Sequence, residues 1–309
     1  MFLDVYRFSF EWEILDWFNK IDNPVFYYFF NLISQFGGSV GVLIIMTIVY
    51  WCINKEKGVK IAFISTFTIV LNGILKGFIS AKRPFQYENK EYLEQSKNYS
   101  FLSDGASGTS FPSGHSQNSV ALFSAIIKFF KEKKWVVISS TILAILIPIS
   151  RLYLGVHFPG DVLVGSLLGL ITAIVGGWII DKFYHKRYMI FIITAIIFIP
   201  FLFIPSMTKN VFKGMGILLG CLIGLFLEEK YVNFEIAKAK KVNVIRYIFG
   251  IAVTGIIYLG AHIINHLDVV LNNDILLKLS NLFTHAVIAL VAIAFVPYLF
   301  KKIPFLKDK

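Results

Sequence analysis

Apolar runs of roughly 17–25 residues recur along the chain, and a run of that length crosses the hydrocarbon core of a bilayer, about 30 Å, as a helix. They cover about 58–79, 113–130, 135–152, 161–180, 189–205, 211–227, 244–266 and 276–300, with a first run from Gly37-Gly38 to near Cys52. Only 16% of the 309 residues are charged, where a soluble domain carries about a quarter, and mean hydropathy is +0.69. The expected fold is all-α: a polytopic transmembrane helical bundle of about nine spans.

Residues 1–37 alternate aromatic and acidic side chains (Phe8, Trp12, Trp17, Phe26, Tyr27, Phe29 with Asp4, Glu11, Glu13, Asp16). This reads as an amphipathic, interfacial segment, with room for a further helix or re-entrant turn at 12–37, and it lacks the basic start of a secretory signal. Cys52 and Cys221 lie in or at the end of apolar runs and are expected as free, small packing residues. The net charge of +11 does not call for nucleic acid. Segments 54–60, 128–134, 181–187, 228–246 and 301–309 hold 19 of the 30 Lys and Arg residues, and they alternate with cation-poor loops. The positive-inside rule puts these five in the cytoplasm, with the N-terminus outside and the C-terminus inside. Loops 80–112, 152–160, 206–210 and 267–275 then face outward. The longest, 85–111, is polar and turn-rich, as lids and binding loops are, and contains the sequon Asn98-Tyr99-Ser100.

Three segments place polar residues at the outer membrane boundary. They are Lys76 to Arg83-Pro84, then Pro112-Ser113-Gly114-His115, then Ser150-Arg151 through His157 to Asp161. The topology came from loop charge alone, yet it brings all three to one depth. A charge inside the membrane costs about 2.5–3.5 kcal/mol on insertion scales, so Lys76, Arg83 and Arg151 make sense facing a wet cavity and an anion. Two guanidinium forks and an ammonium suit a tetrahedral oxyanion. Pro112 is expected as the first residue of a helix, Gly114 permits close backbone approach to phosphate, and Ser113 adds a hydroxyl. If Pro159 opens the next helix, Asp161 turns back to hold one ring nitrogen of His157 and leaves the other as nucleophile. His115 suits a general acid for the leaving alcohol.

At these residues the chain resembles the type 2 phosphatidic acid phosphatase family in its integral membrane branch. That family's pattern is Lys, six residues, Arg-Pro; then Pro-Ser-Gly-His; then Ser-Arg, five residues, His, three residues, Asp. The fit is complete at Lys76, Arg83, Pro84, Pro112, Ser113, Gly114, His115, Ser150, Arg151, His157 and Asp161. The resemblance covers about 58–180. It implies a six-helix phosphatase core, a phosphohistidine on His157 with Asp161 in the catalytic set, proton donation by His115, and phosphate binding by Lys76, Arg83, Ser113, Gly114 and Arg151. Pro84, Pro112 and Ser150 would support them, with no metal and no cofactor. The expected division is 1–37 interfacial, 38–187 phosphatase core and 188–309 additional membrane helices. Nine spans with an outside N-terminus is similar to glucose-6-phosphatase and some sphingosine-phosphate phosphatases.

The expected activity is dephosphorylation of a lipid phosphate or diphosphate at the extracytoplasmic face. Rival readings are a lipid phosphotransferase, which shares all three motifs, and a non-catalytic transporter or binding protein. The paired His115 and His157 argue against the last. Lys82 reads as a snorkelling anchor. His262 and His266, four apart, with Asp268 and His285 beyond, have spacing that can hold zinc, but interhelical hydrogen bonding is preferred. Gly220 and Gly224 form a GxxxG that would permit a homo-oligomer. The partners are the bilayer and a membrane lipid. The Ile, Lys, Phe and Asn bias points to an AT-rich bacterial source and hence a bacterial plasma membrane.

Overall fold

The computed structural model describes residues 8–21, 23–87 and 108–307. Most of the expected lid 85–111, including the Asn98 sequon, lies outside the described residues. Among those described there is no β-strand. The helices are α1 (Ser9–Asn19), α2 (Pro24–Gln35), α3 (Ser39–Ile48), α4 (Lys55–Phe78), α5 (Gly114–Phe129), α6 (Lys134–Tyr153) and α7 (Pro159–Lys182). They continue with α8 (Arg187–Phe198), α9 (Lys209–Leu227), α10 (Lys240–Asn265), α11 (Asp268–Leu271), α12 (Asp274–Leu290) and α13 (Val296–Lys302).

Among the described residues, seven helices are long and apolar enough to cross a membrane: Lys55–Phe78, Lys134–Tyr153, Pro159–Lys182, Tyr184–Phe203, Lys209–Val232, Lys240–Asn265 and Asp274–Lys302. The pair Pro24–Gln35 and Ser39–Ile53, bent by 59°, makes an eighth if counted as one span. The run expected at 113–130 forms α5, whose 16 residues give about 24 Å of helix, short of a full crossing. The protein is an integral membrane helical bundle.

Chain contacts define two compact units, and the chain passes between them within α3, α4 and α7. The first comprises Met1–Val42 and Ile74–Val175. Its helix starts are specified locally. Asn23 caps α2, accepting from the Val25 amide at 2.8 Å, and Pro24 follows at the first helical position. Ser113 caps α5, its hydroxyl taking the Ser116 amide at 3.4 Å. Pro112 therefore lies before the helix and not at its first position. A serine hydroxyl satisfies a first-turn amide, which proline leaves the next residues to do. α6 ends at Gly155, whose φ of +64° is a left-handed conformation that glycine adopts without strain. Around this end Phe30 packs on Tyr153 with ring centroids 4.6 Å apart, and the Tyr153 hydroxyl donates to the Ile21 carbonyl at 2.9 Å.

α5 and α7 meet backbone to backbone. A Cβ on Gly165 would stand 2.6 Å from the Ser113 carbonyl oxygen, closer than real Cβ contacts come. The Ser113 amide donates to the Asp161 carbonyl at 2.9 Å, so the Pro-Ser-Gly-His segment is bound directly to the first turn of α7.

The second unit comprises Leu43–Gly73 and Gly176–Lys309. Trp51 is fully buried, donates its indole N–H to the Ala292 carbonyl at 2.8 Å and meets Phe300 edge-on at 5.8 Å. Gly220 lies against the α12 backbone at Ala286 and Gly224 against Leu290 and Ile293, so both glycines of the GxxxG make close contacts within the chain. Several basic-segment cations are paired: Lys55 with buried Glu228 at 2.5 Å, Lys60 with Asp181 at 2.6 Å, and Arg187 with Glu229 through both Nε (3.0 Å) and Nη2 (2.5 Å). Cys52 and Cys221 are free.

Gly165→Ala is expected to cost about 1–3 kcal/mol through overpacking and to lower the thermal inactivation temperature in detergent. Gly255→Ala, where an added Cβ meets nothing within 4 Å, is the control and is expected to be tolerated.

Candidate active site

The site is assembled from the C-terminal end of α4, the segment 108–113, the start of α5, the end of α6 and the start of α7, all within the first unit. Every expected charged member except His115 is buried. Lys76, Arg83 and Arg151 are 6–8% exposed, His157 2% and Asp161 0%.

Pro84 opens a short 3-10 turn, Pro84–Gln86, and holds Arg83 in extended backbone, where its amide donates to Gln86 Oε1 at 2.8 Å. From there the Arg83 side chain reaches inward. Its Nε donates to the Gly108 carbonyl at 3.0 Å, and its Nη1 to the Val156 carbonyl at 3.1 Å and to His157 Nε2 at 3.3 Å. An arginine nitrogen always carries protons, so His157 Nε2 must present its lone pair there. Lys76 Nζ donates to the carbonyls of Thr109 and, at 3.3 Å, Ser110. Arg151, on the last turn of α6, donates through Nη1 to the Ser34 hydroxyl of α2, while its buried Nε has no partner among the described residues. Ser150, fully buried beside it, returns its hydroxyl to the Ile147 carbonyl at 2.5 Å.

Pro159 does open α7, and Asp161 does turn back. Its Oδ2 accepts from the Phe158 amide at 3.0 Å and from the Ser110 hydroxyl. The separation from Asp161 Oδ2 to His157 Nδ1 is 3.5 Å, and Ser110 Oγ lies 3.3 Å from the same ring nitrogen. A neutral imidazole with its proton on Nδ1 satisfies both sides: Nδ1–H toward Ser110 and Asp161, Nε2 toward Arg83. Burial, reinforced by the charges of Arg83 and Lys76, holds the His157 pKa near 3 against the pull of Asp161. The ring is therefore neutral across the physiological range. Burial also lowers Arg83, to about 10, which leaves it charged at neutral pH.

His115, on the first turn of α5, lies near the turn between α2 and α3, with Nε2 3.4 Å from where a Cβ on Gly38 would stand. It interacts electrostatically with Arg151, His157, Arg83 and Lys76. The amides of Gly114 and His115 lie in that first turn, where no intrahelical acceptor is available to them. Ser113 Oγ is engaged as the helix cap and also accepts from the Ser116 hydroxyl at 2.9 Å. Lys82 is exposed over the Tyr87 ring at 5.9 Å, away from the cluster.

Three groups at the site have no sequence motif: Ser110, Ser34 and Glu11. Glu11 of α1 is 3% exposed and accepts the Gly160 amide at 2.8 Å, while the neighbouring Trp12 packs edge-on against Phe158 at 4.8 Å. The amphipathic reading of the N-terminal segment did not predict that it would buttress the His157–Asp161 turn. The His262 and His266 rings lie with centroids 4.0 Å apart, tilted by 47°. Among the described residues no three His, Cys, Asp or Glu side chains are grouped as a metal would need.

A family model described as PAP2 superfamily matches residues 57–185, and one described as PAP2 superfamily phosphatase, transmembrane extension, matches 212–308. The chain is similar to undecaprenyl-diphosphatase of Sulfolobus acidocaldarius (32% identical over 116 residues, 38% of this chain and 52% of the relative). It is also similar to lipid A 4'-phosphatase of Bacteroides thetaiotaomicron (29% over 186 residues, 56% of this chain and 76% of the relative). The chain thus spans about half the length of the first and three quarters of the second. Among solved structures, a transmembrane PAP2 type phosphatidylglycerolphosphate phosphatase from Bacillus subtilis aligns with a TM-score of 0.45 and 27% identity, covering 56% of this chain and 86% of that one. The two family models together take in more than two thirds of the sequence, and the chain belongs to the PAP2 superfamily, with its transmembrane extension.

Proposed function

We propose that the protein hydrolyses a lipid-linked phosphate or diphosphate by transfer of the phosphoryl group to His157, at the extracytoplasmic face of a bacterial plasma membrane. The observation that carries the reading is the charge balance of the site. Three buried cations, Lys76, Arg83 and Arg151, surround a neutral imidazole whose neighbouring carboxylate is Asp161, while the other buried acid, Glu11, is held on the Gly160 amide. The formal excess is two positive charges, and a phosphate monoester carries about −1.5 to −2 at neutral pH. An excess of that size, withdrawn from water, is stabilised by a bound dianion and is costly without one.

The chemistry follows from the positions. The phosphate takes the forks of Arg83 and Arg151, the Lys76 ammonium and the first-turn amides of α5 at Gly114 and His115, with Ser113 at the cap. It also draws the Arg83 guanidinium off Nε2. The freed Nε2 lone pair attacks phosphorus as the bond to the leaving oxygen breaks, and His115 protonates that oxygen. The Nδ1 proton stays on the ring, shared with Ser110 and Asp161, which stabilise the positive charge that builds there. Water, deprotonated by His115, then attacks phosphorus, the P–N bond breaks, and inorganic phosphate leaves. For a diphosphate the first leaving group is the lipid monophosphate.

Two relatives carry names for a lipid diphosphate and a lipid phosphate reaction, which supports a lipid-tailed substrate here. A site at the membrane boundary suits a substrate whose tail stays in the bilayer.

In detergent with EDTA, wild-type protein is expected to release phosphate from at least one of phosphatidic acid, phosphatidylglycerol phosphate, undecaprenyl phosphate and undecaprenyl diphosphate. His157→Ala should abolish release while still binding the lipid. Unchanged turnover in that variant would remove the nucleophile, and release only on adding an acceptor alcohol would mark a phosphotransferase. Ser110→Ala is expected to lower kcat about 10- to 100-fold with little change in KM, the loss of one hydrogen bond in a charged network. In a phosphate-free sample with labelled histidine, the His157 ring should show no NMR titration between pH 5 and 8. A midpoint near the ordinary 6.5 would contradict its burial among cations.

A further inference from the structure

The second unit holds a polar pocket of its own, about 90 Å3 in volume, that shares no residue with the His157 site. Its chemistry is one-sided. Lys209, Lys213, His262, His266 and His285 line it, and among the described residues no acidic side chain does. The nearest acids in sequence are Asp268, at the start of α11, and Asp274, which is paired with Lys278 at 2.6 Å. Lys213 sits half-buried on α9, with no hydrogen bond or ion pair among the described residues. Its charge acts on His285, and that of Lys209 acts on it.

The histidines are set to donate or accept at their outer nitrogens. His285 Nδ1 is used on the Asn281 carbonyl at 2.9 Å and His266 Nδ1 on the His262 carbonyl at 2.8 Å, which leaves Nε2 of each ring for a ligand. Asn265 is 8% exposed. Its Nδ2 reaches Thr284 at 3.3 Å, but its Oδ1 has no partner among the described residues. A buried amide oxygen in that condition costs about 1–3 kcal/mol unless something donates to it.

We propose that this pocket binds a phosphate-bearing anion. Lys209, Lys213 and the histidine Nε2 groups hold the phosphate oxygens, and a protonated phosphate oxygen or neighbouring hydroxyl donates to Asn265 Oδ1. Two unopposed ammonium groups beside a buried acceptor match that ligand better than a divalent cation, which the lysines would repel. The ligand is either free phosphate, the expected product of the reaction, or the headgroup of an anionic phospholipid.

The test is equilibrium binding to the full chain in detergent, with radiolabelled inorganic phosphate in one arm. Native mass spectrometry after reconstitution with phosphatidylglycerol is the other. The variants are Lys209→Gln/Lys213→Gln and, because Lys209 is exposed and tolerant, Lys209→Gln alone. Turnover of a short-chain lipid phosphate reports that each variant is folded. Beyond any binding at the His157 site, the expected result is a further class of sites for one probe that the double variant loses and the single variant weakens by about tenfold. A retained phosphatidylglycerol adduct identifies the lipid headgroup, and saturable inorganic phosphate without the adduct identifies free phosphate. Binding at the His157 site survives both substitutions, so its presence or absence is read separately. Equal binding of both probes by wild type and by folded variants would overturn the proposal.

Discussion

A buried excess of positive charge around one neutral imidazole is the constraint on which the rest of the first unit depends. Lys76, Arg83 and Arg151 are tolerated at 6–8% exposure only because each finds carbonyl or hydroxyl oxygens, and these come from several segments of chain. The Lys76 ammonium fixes the carbonyls of Thr109 and Ser110, which sets Ser110 Oγ between Asp161 and His157. Arg83 fixes Gly108 and Val156 and orients His157 from the opposite side. Arg151 donates to Ser34 through Nη1 and keeps Nε unengaged among the described residues.

The scaffold brings these groups together through backbone contacts that few residues permit. Gly165 lets α7 lie against the Ser113 backbone, and the Ser113 amide is bonded to the Asp161 carbonyl. The start of α5 and the first turn of α7, just after the histidine-bearing turn, are therefore tied directly together. Glu11 braces that first turn from α1 by accepting the Gly160 amide, a favourable place for a carboxylate at a helix N-terminus. The second unit has its own polar centre, in which cations on α9 and histidines on α10 and α12 line a pocket without acids among the described residues. A membrane protein keeps such groups where they meet a ligand or water.

The fold class and the grouping of the three motifs were legible because membrane burial and clustered charge both leave local marks. Most helices from α4 onward follow long apolar runs, Pro159 opens α7, and Asp161, four residues after His157, turns back as its spacing implied. Boundaries were less legible. Ser113 outcompetes Pro112 for the α5 start because a hydroxyl caps an amide, and the apolar run at 113–130 yields a helix shorter than a bilayer. Ser110, Ser34 and Glu11 were not legible at all. Each acts through contact with a residue 51, 117 or 149 positions away, and a lone serine or an acid among interfacial aromatics leaves no periodic or spacing signal. The one cue was weak: a buried arginine at Arg151 needs an oxygen partner from some other helix, but nothing in the sequence says which.

The measurement closest to the central claim is capture of the phosphoenzyme. Wild-type protein mixed with 32P-labelled lipid phosphate and quenched in alkali within milliseconds should carry label that is stable to base, released by acid and mapped by peptide sequencing to His157. Label on another residue, or substrate turnover with no labelled protein under any quench, would contradict a site built to form a phosphohistidine.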